Sequence, residues 1–557
     1  MAGPRIVIVG GVAGGAGAAT RARRMNEAAE IIIFEKGEHI SLATCGLPYY
    51  IGGQIANRGK LLVSTPAEFA NRYRIDVHTG HEVTRIDRQA RQVEVLDVRT
   101  GRRSLVDYDR LILAPGAAPI VPDWEGIDSE NLFTLRDLAD TDRIKAYVDR
   151  HSPARAVVIG GGYIGIEMSE VLTGRGVAVT LVEAQPQVMP LMDSEMAARI
   201  ETVLRASGVD VRTGQGVRNL VVRDALVRAV RLADGQEVAA DMVMVAVGVR
   251  PNVELARQAG LKIGPSGGIA VDGQMQTSDP NIFAVGDAAE VTHLVAGGPM
   301  LVPLAGPANR NGRLAGQRAA TGDAPLATPV AGTAIVGFFG QAAAITGLSV
   351  HAVRRAGMEC AAVYAIGGHH AGYYPGAEQL VLKLVFDPKS RRVLGAQAVG
   401  GAGVDKRIDV IATALRFQAT IDDLAGLDLA YAPQFGAAKD PIHIAAFVAQ
   451  NQADALVRQI LPGDPAPAGQ LLDVRSEAEV ARGTLTGAVN IPLPRLRENL
   501  SRLDRNKPVV VFCGAGMRGY IASRILMQSG FAEVWNLAGG YTMHKDTWSQ
   551  TLARSGG

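Results

Sequence analysis

A chain of 557 residues is too long for one hydrophobic core, so three to five domains are expected. Its net charge of +2, with no long basic run, leaves no general argument for binding nucleic acid or a membrane surface. Three cysteines cannot build a disulfide framework and none lies in a CxxC or zinc pattern, so each is weighed as a reactive thiol.

The first apolar run is broken by glycines and carries no cleavage pattern, and no window of 18 apolar residues follows. Neither a signal peptide nor a transmembrane helix is expected, and a reducing cytoplasm is the expected compartment. The hydrophobic fraction of 47% with 65 glycines suits α/β nucleotide-binding domains, whose turns need glycine.

Ile6-Val7-Ile8-Val9 reads as a buried strand, Gly10 to Gly15 as a tight turn, and Ala16 to about Asn26 as a helix. A second strand, Ile31 to Phe34, ends in Glu35. This βαβ pattern suits a dinucleotide. Glycines admit the pyrophosphate, helix N–H groups face it, and the carboxylate accepts a ribose hydroxyl. Val12 stands at the middle glycine position between Gly10 and Gly15. Lys36, beside Glu35, joins this dinucleotide set.

Next comes Ser41-Leu42-Ala43-Thr44-Cys45-Gly46-Leu47-Pro48-Tyr49-Tyr50, which holds the first cysteine. It should lie beside whatever the glycine turn binds. Asp109 to Gly116 reads as a strand ending in a sharp turn, with Ala114, Pro115 and Gly116 assigned to the same dinucleotide.

A second βαβ unit has the complete glycine pattern: Gly160, Gly162 and Gly165, with Tyr163 inside the turn and Glu183 at the end of the next strand. A carboxylate there, with no basic neighbour, favours a free 2′-hydroxyl and so NADH over NADPH. Ile282 to Gly286 reads as a strand that presents Asp287 to a ribityl hydroxyl or a phosphate-bound water, or as a helix cap. Alternating strands follow from Leu326 to Ala449, with a helix from Val404 to about Gln418. A Pro/Gly/Ala linker covers 451–469. From Gln470 the pattern restarts as a small parallel α/β domain, with Cys513 at a strand's C-terminal end.

This order of parts resembles the pyridine nucleotide-disulfide reductase superfamily over about residues 4 to 450. The lone cysteine of Ser41–Tyr50 is similar to the single-cysteine branch, which includes coenzyme A disulfide reductases and related NADH oxidases and peroxidases. Gly372-Tyr373-Tyr374-Pro375-Gly376, Ala430-Tyr431-Ala432-Pro433 and Ala438-Lys439-Asp440-Pro441 resemble the tyrosine-bearing segments of the coenzyme A branch. The resemblance implies a homodimer in which Tyr373 and Tyr431 reach Cys45 of the partner subunit. The tail is similar to rhodanese domains at Asp473-Val474-Arg475, Gly487 to Pro492, the Cys513 loop and Ala538-Gly539-Gly540. Three positions depart from the family's pattern: Val12, Phe435 in place of a tyrosine, and Tyr73 in place of a phosphate-binding lysine. The resemblance assigns Arg21, Arg24 and Ser41 to coenzyme A.

The expected fold is α/β, with two Rossmann-like domains, an α+β dimerisation domain and a small α/β rhodanese domain. The expected boundaries are 1–150 with 251–325 for FAD, 151–250 for NAD, 326–450 for dimerisation and 470–557 for the rhodanese. The leading function is reduction of persulfides, polysulfides or coenzyme A disulfide with NADH and FAD. A Cys45 thiolate would attack the sulfur–sulfur bond, against the alternative of a buried structural cysteine. Tyr373 and Tyr431 would protonate the leaving thiolate or merely pack. Tyr163 would cover the flavin until nicotinamide arrives, or likewise pack. The loop Cys513 to Arg518 would hold a persulfide anion, and its C-x4-R spacing favours sulfur over phosphate. Arg518 would support the loop or the substrate charge. Cys360 is expected in the core of a strand, and no histidine spacing makes a metal site. The alternatives are an NADH oxidase or peroxidase cycling through a sulfenic acid, and a rhodanese-type sulfur carrier or redox sensor.

Overall fold

The computed structural model describes residues 3–548. Residues 549–557, the end of the expected rhodanese domain, lie outside the described residues, as do Met1 and Ala2. The chain divides into two compact units, one ending at Val330 and excluding 189–204, the other made of 189–204 and the remainder.

The first unit holds two parallel sheets of matching design. In one, the strand Arg5–Val9 lies between Glu30–Glu35 and Arg110–Leu113, flanked further out by Asp76–Thr79 and Ile282–Ala284. In the other, Arg155–Ile159 lies between Ala178–Val182 and Met242–Val245, with Asp210–Arg212 and Leu132–Phe133 outside. The central strand of each sheet and its two neighbours are mostly buried apolar runs, as expected where both faces of a parallel sheet are covered, whereas the edge strands Asp76–Thr79 and Asp210–Arg212 are polar and partly exposed. Each central strand therefore ends at a switch point, where open α/β sheets leave a crevice for a ligand.

The first helix starts at Ala13, three residues before the sequence reading placed it, and runs to Met25. It crosses the helix Ala305–Thr321 closely. A Cβ on Gly312 would meet the Gly14 carbonyl oxygen at 2.2 Å, and one on Gly316 the Ala18 oxygen at 2.1 Å. Among the described residues, no helix is long and apolar enough to cross a membrane.

The second unit contains an antiparallel sheet in the order Ala334–Phe338, Gln341–Gly347, Val393–Gly400, Gln379–Phe386, Ala361–Gly368. The helices Val404–Arg416 and Pro441–Ala453 pack on it. Helix Ser194–Ala206 is tied to the sheet by a buried cluster, in which Lys383 Nζ lies 2.8 Å from Asp193 and 2.5 Å from Glu195. The Tyr364 hydroxyl donates to Glu195 at 2.8 Å.

The same unit holds a second, parallel sheet: Arg458–Ile460, Val534–Leu537, Val509–Phe512, Gln470–Asp473, Ala488–Asn490. Its edge strand comes from 451–469, which the sequence reading made a linker. Proline and glycine there hide a three-residue strand too short to show a period. Cys360 is likewise not in a strand. It sits half-buried just before Ala361–Gly368, and burial pushes its thiol pKa up.

Candidate active site

The two glycine turns of the first unit are near copies. Gly10 (φ 94°) and Gly160 (φ 112°) take the left-handed conformation that favours glycine, and a Cβ on either would lie 2.2 Å from a neighbouring carbonyl, Ala114 or Ala246. A Cβ on Gly15 or Gly165 would fall 1.8 Å from the oxygen of Gly10 or Gly160. The middle positions differ. Val12 (φ −91°) and Gly162 (φ −82°) both have negative φ, so neither position needs the left-handed conformation that favours glycine. Glycine at this position is therefore a matter of ligand approach, and Val12 leaves the turn intact.

The acidic residues also correspond. Glu35 accepts from the N–H groups of Gly11 and Gly37, both at 2.8 Å. Glu183 accepts from Gly161 at 2.6 Å and Gln185 at 2.7 Å. Each carboxylate is thus fixed at its strand end before any ribose arrives. Lys36 points away, paired with Glu82 at 2.9 Å.

Around the first turn, the Ala114 N–H donates to Val9, and Gly116 has a φ of 69°. Asn252 clamps the loop, its backbone N–H donating to Gly116 and its Nδ2 to Pro115. Asp287 follows Gly286 in a short turn, and it does not cap a long helix. Burial raises its pKa, and the charge of Arg136 opposes that. Arg136 also lies over Gly116, where a Cβ would meet its Nη2 at 2.7 Å. The sequence offered no signal for Arg136, one arginine among many.

The segment of Cys45 is hydrogen-bonded to this turn. Ser41, at φ 49°, donates its N–H to the Gly11 carbonyl, and Val63 donates back to Ser41. Cys45 sits in the turn Thr44–Gly46, immediately before the short helix Leu47–Ile51, and its side chain is exposed. Tyr49, one turn on, donates its O–H to Glu167 at 3.0 Å. Glu167 belongs to the helix that starts at Tyr163, and burial raises its pKa. Sequence reading missed this link between the cysteine segment and the second nucleotide turn, because it joins positions 118 apart.

Three observations test whether nucleotides fit. The cradle at Gly162 is open, since a Cβ there would meet nothing within 4 Å. The Tyr163 hydroxyl is buried without a hydrogen-bond partner, and burial pushes its pKa up to about 12. The buried Arg21 Nε also lacks a partner, and burial together with Arg313 and Arg24 lowers the pKa of that guanidinium. The orphaned Tyr163 hydroxyl, next in the chain to the open Gly162, and the orphaned Arg21 Nε both fit ligands that would satisfy them. Tyr73 packs on Phe69, and its carbonyl accepts from Arg23.

In the second unit, Tyr373 and Tyr431 are both exposed, at 77% and 49%, and their hydroxyls meet at 2.7 Å. Phe435 is 70% exposed nearby in the chain.

Cys513 is the opposite of Cys45, only 2% exposed. The Gly516 N–H donates to its Sγ at 3.1 Å, and Gly516 takes φ 121° to aim it. The Tyr541 N–H donates to the Cys513 carbonyl at 2.7 Å, and Thr542 holds Gly514 through N–H and hydroxyl. A Cβ on Gly540 would strike the Cys513 carbonyl at 2.3 Å, which explains the glycine at that position. Arg518 makes a bidentate pair with Glu479, both contacts at 2.7 Å. That pairing holds the Glu479 carboxyl down to about 2. Arg518 thus braces the loop with its charge already matched. Glu479, which sequence reading did not single out, lies 39 positions away.

Comparison with known proteins decides the family. The pyridine nucleotide-disulphide oxidoreductase family matches residues 4–308, and its dimerisation domain matches 333–441. The chain belongs to this family. It is an oxidoreductase, and membership implies FAD and a pyridine nucleotide. A rhodanese-like domain matches 454–546, and so includes the strand Arg458–Ile460. The coenzyme A disulfide reductase of Staphylococcus haemolyticus (strain JCSC1435) is 35% identical over 447 residues, 80% of this chain and 99% of its own length. The crystal structure of reduced Bacillus anthracis CoADR-RHD is similar with a TM-score of 0.95 and 41% identity, covering 99% of both chains. An NAD-dependent persulfide reductase from A. fulgidus is similar with a TM-score of 0.91 and 40% identity, covering 97% of this chain and 99% of its own.

Proposed function

We propose that this oxidoreductase uses NADH to reduce the sulfur–sulfur bond of persulfides, polysulfides or coenzyme A disulfide, with Cys45 as the redox sulfur. The observation that carries the reading is the exposed Cys45 thiol on a segment hydrogen-bonded to the first nucleotide turn through Ser41 and Gly11. The relatives named as a coenzyme A disulfide reductase and a persulfide reductase, together with the rhodanese-like domain, support it.

Gly10, Gly15, Glu35, the loop Ala114–Gly116 and Asp287 would hold FAD. Gly160, Gly162, Gly165 and Glu183 would hold NADH, with Tyr163 at the entrance. FAD, when bound, supplies the two-electron relay from NADH to the sulfur. The chain's own residues do the rest. The Cys45 thiolate attacks the outer sulfur of a persulfide, a Cys45–sulfur bond forms, and the substrate's sulfur–sulfur bond breaks. The departing thiolate takes a proton, for which Tyr373 and Tyr431 of a dimer partner are the nearest donors by family resemblance. Two electrons and two protons then release the sulfur as hydrogen sulfide and restore Cys45, so that RSSH, NADH and a proton give RSH, hydrogen sulfide and NAD+. The Arg21, Arg24 and Arg313 cluster supports an anionic handle such as the phosphates of coenzyme A. Cys513 would carry sulfane sulfur, with Gly516 N–H stabilising the persulfide anion.

The test is an NADH assay run side by side with coenzyme A persulfide, coenzyme A disulfide, polysulfide and oxygen. Turnover with the sulfur compounds, lost in Cys45→Ser with yellow flavin retained, is the expected result. Equal NADH consumption with oxygen alone would sink it in favour of an oxidase.

A further inference from the structure

Tyr373 lies in the loop between strands Ala361–Gly368 and Gln379–Phe386, and Tyr431 in the loop before helix Pro441–Ala453. Tyr373 stands largely in solvent and Tyr431 is half-exposed, so packing alone does not fix the pair. An unpacked tyrosine on a loop keeps its rotamer freedom and points nowhere in particular. Yet their hydroxyls meet, which requires the two loops to be held in register.

The register comes from beneath. The Ala371 N–H donates to the Gly436 carbonyl at 2.8 Å, joining the loops directly. Under both lies Arg407, on helix Val404–Arg416, only 1% exposed. Its Nη2 donates to the His369 carbonyl at 2.7 Å and to Asp440 Oδ2 at 2.7 Å, and its Nε to Asp440 Oδ1 at 3.2 Å. Asp440 also accepts from the Ile442 N–H, capping helix Pro441–Ala453. One planar fork thus fixes the start of the Tyr373 loop and the end of the Tyr431 loop. A lysine ammonium, a single point charge, does not reproduce two directed contacts. A buried ion pair is also a weak source of stability, often matched by apolar residues of equal volume. Geometry is the better account of its presence.

We propose that Arg407 is a positioning residue that sets the Tyr373–Tyr431 pair for the reaction, acting through the His369 backbone and the Asp440 carboxylate. Its burial keeps it from substrate. The inference rests on the reading of the two tyrosines given above, and it adds the element that aims them.

The experiment uses the full-length flavoprotein. Arg407→Lys and the neutral pair Arg407→Gln with Asp440→Asn are each made in the parent and in Tyr373→Phe/Tyr431→Phe. Steady-state kinetics with coenzyme A persulfide are joined to hydrogen exchange of the peptides over 369–378 and 427–440. The expected result is a kcat lower by about tenfold or more, the scale set by small misplacements of a reacting group. The KM for NADH and the flavin content stay unchanged, and exchange rises in both loops together. In the double-phenylalanine background the same Arg407 changes lower kcat by less than about twofold, since there is no hydroxyl pair left to aim. An equal loss in both backgrounds overturns the proposal, as does parental turnover or exchange that rises in neither loop. Loss of flavin or of the parental oligomer in both variants also overturns it, because Arg407 would then hold the fold rather than the pair. Parental turnover of Tyr373→Phe/Tyr431→Phe would instead defeat the reading of the tyrosines, and it shows in that arm alone.

Discussion

Cys45 and Cys513 are two thiols with opposite surroundings. Cys513 is sealed, and everything that fixes it comes from its own small sheet: the Gly516 N–H, the Tyr541 and Thr542 contacts, and Arg518 locked to Glu479. Cys45 is exposed, on a three-residue turn, and its segment is tied to the two nucleotide turns of its unit through Ser41 with Gly11 and Tyr49 with Glu167. A sealed thiol can store sulfur, because its anion is met by the loop itself. An open one suits thiol–disulfide exchange, whose rate depends on access to the attacking sulfur.

That contrast can be broken at either thiol. The largest effect is expected from Cys45→Ser, which should abolish NADH-driven sulfide release with every sulfur compound, measured by NADH oxidation and sulfide trapping. Cys513→Ser should abolish persulfide loading of the small domain, read by mass spectrometry, yet leave turnover with free coenzyme A persulfide within about twofold of the parent, because the two sites are separately built. Gly162→Val should raise the KM for NADH by about tenfold or more while the protein folds, since the backbone and its surroundings accept a side chain there but that side chain would occupy the space proposed for the nucleotide. The reverse change, Val12→Gly, should leave flavin binding intact.

Two smaller effects sharpen the sealed side. Glu479→Gln removes the carboxylate that holds Arg518, and should slow persulfide loading of Cys513 several-fold, on the order of one lost charged hydrogen bond. It should leave NADH turnover with free persulfide unaltered.

His544 is fully buried, and burial lowers its pKa to about 4 from an ordinary 6.5. The folded state therefore refuses a proton that the unfolded chain accepts. Stability should be full above pH 6.5 and fall as pH drops toward 4, by about 3 kcal/mol at the limit. Thermal melts between pH 7 and pH 4 check this, and His544→Gln should flatten the slope.

Much of this was legible in the sequence because it is local. The turns Gly10–Gly15 and Gly160–Gly165, the acidic strand ends, and the Cys45 and Cys513 segments each lie within a few residues. What was not legible joins distant positions. Arg136 over Gly116, Tyr49 with Glu167, Arg518 with Glu479 and Arg407 with His369 and Asp440 are ordinary residue types made specific only by folding. Val12 read as a defect, but its backbone angles show that the turn never depended on glycine there. Cys360 read as core because the strand was begun at Glu359, two residues before its observed start at Ala361.

The strand Arg458–Ile460 has a practical consequence. It pairs in parallel with Val534–Leu537 and so covers what would otherwise be a bare sheet margin. A fragment cut at Gln470, where the sequence motif begins, would expose that margin and invite self-association. One cut at Asp454 would keep its cover. The place to sever this module is therefore upstream of its recognisable motif, and its solubility is encoded in residues that look like a spacer.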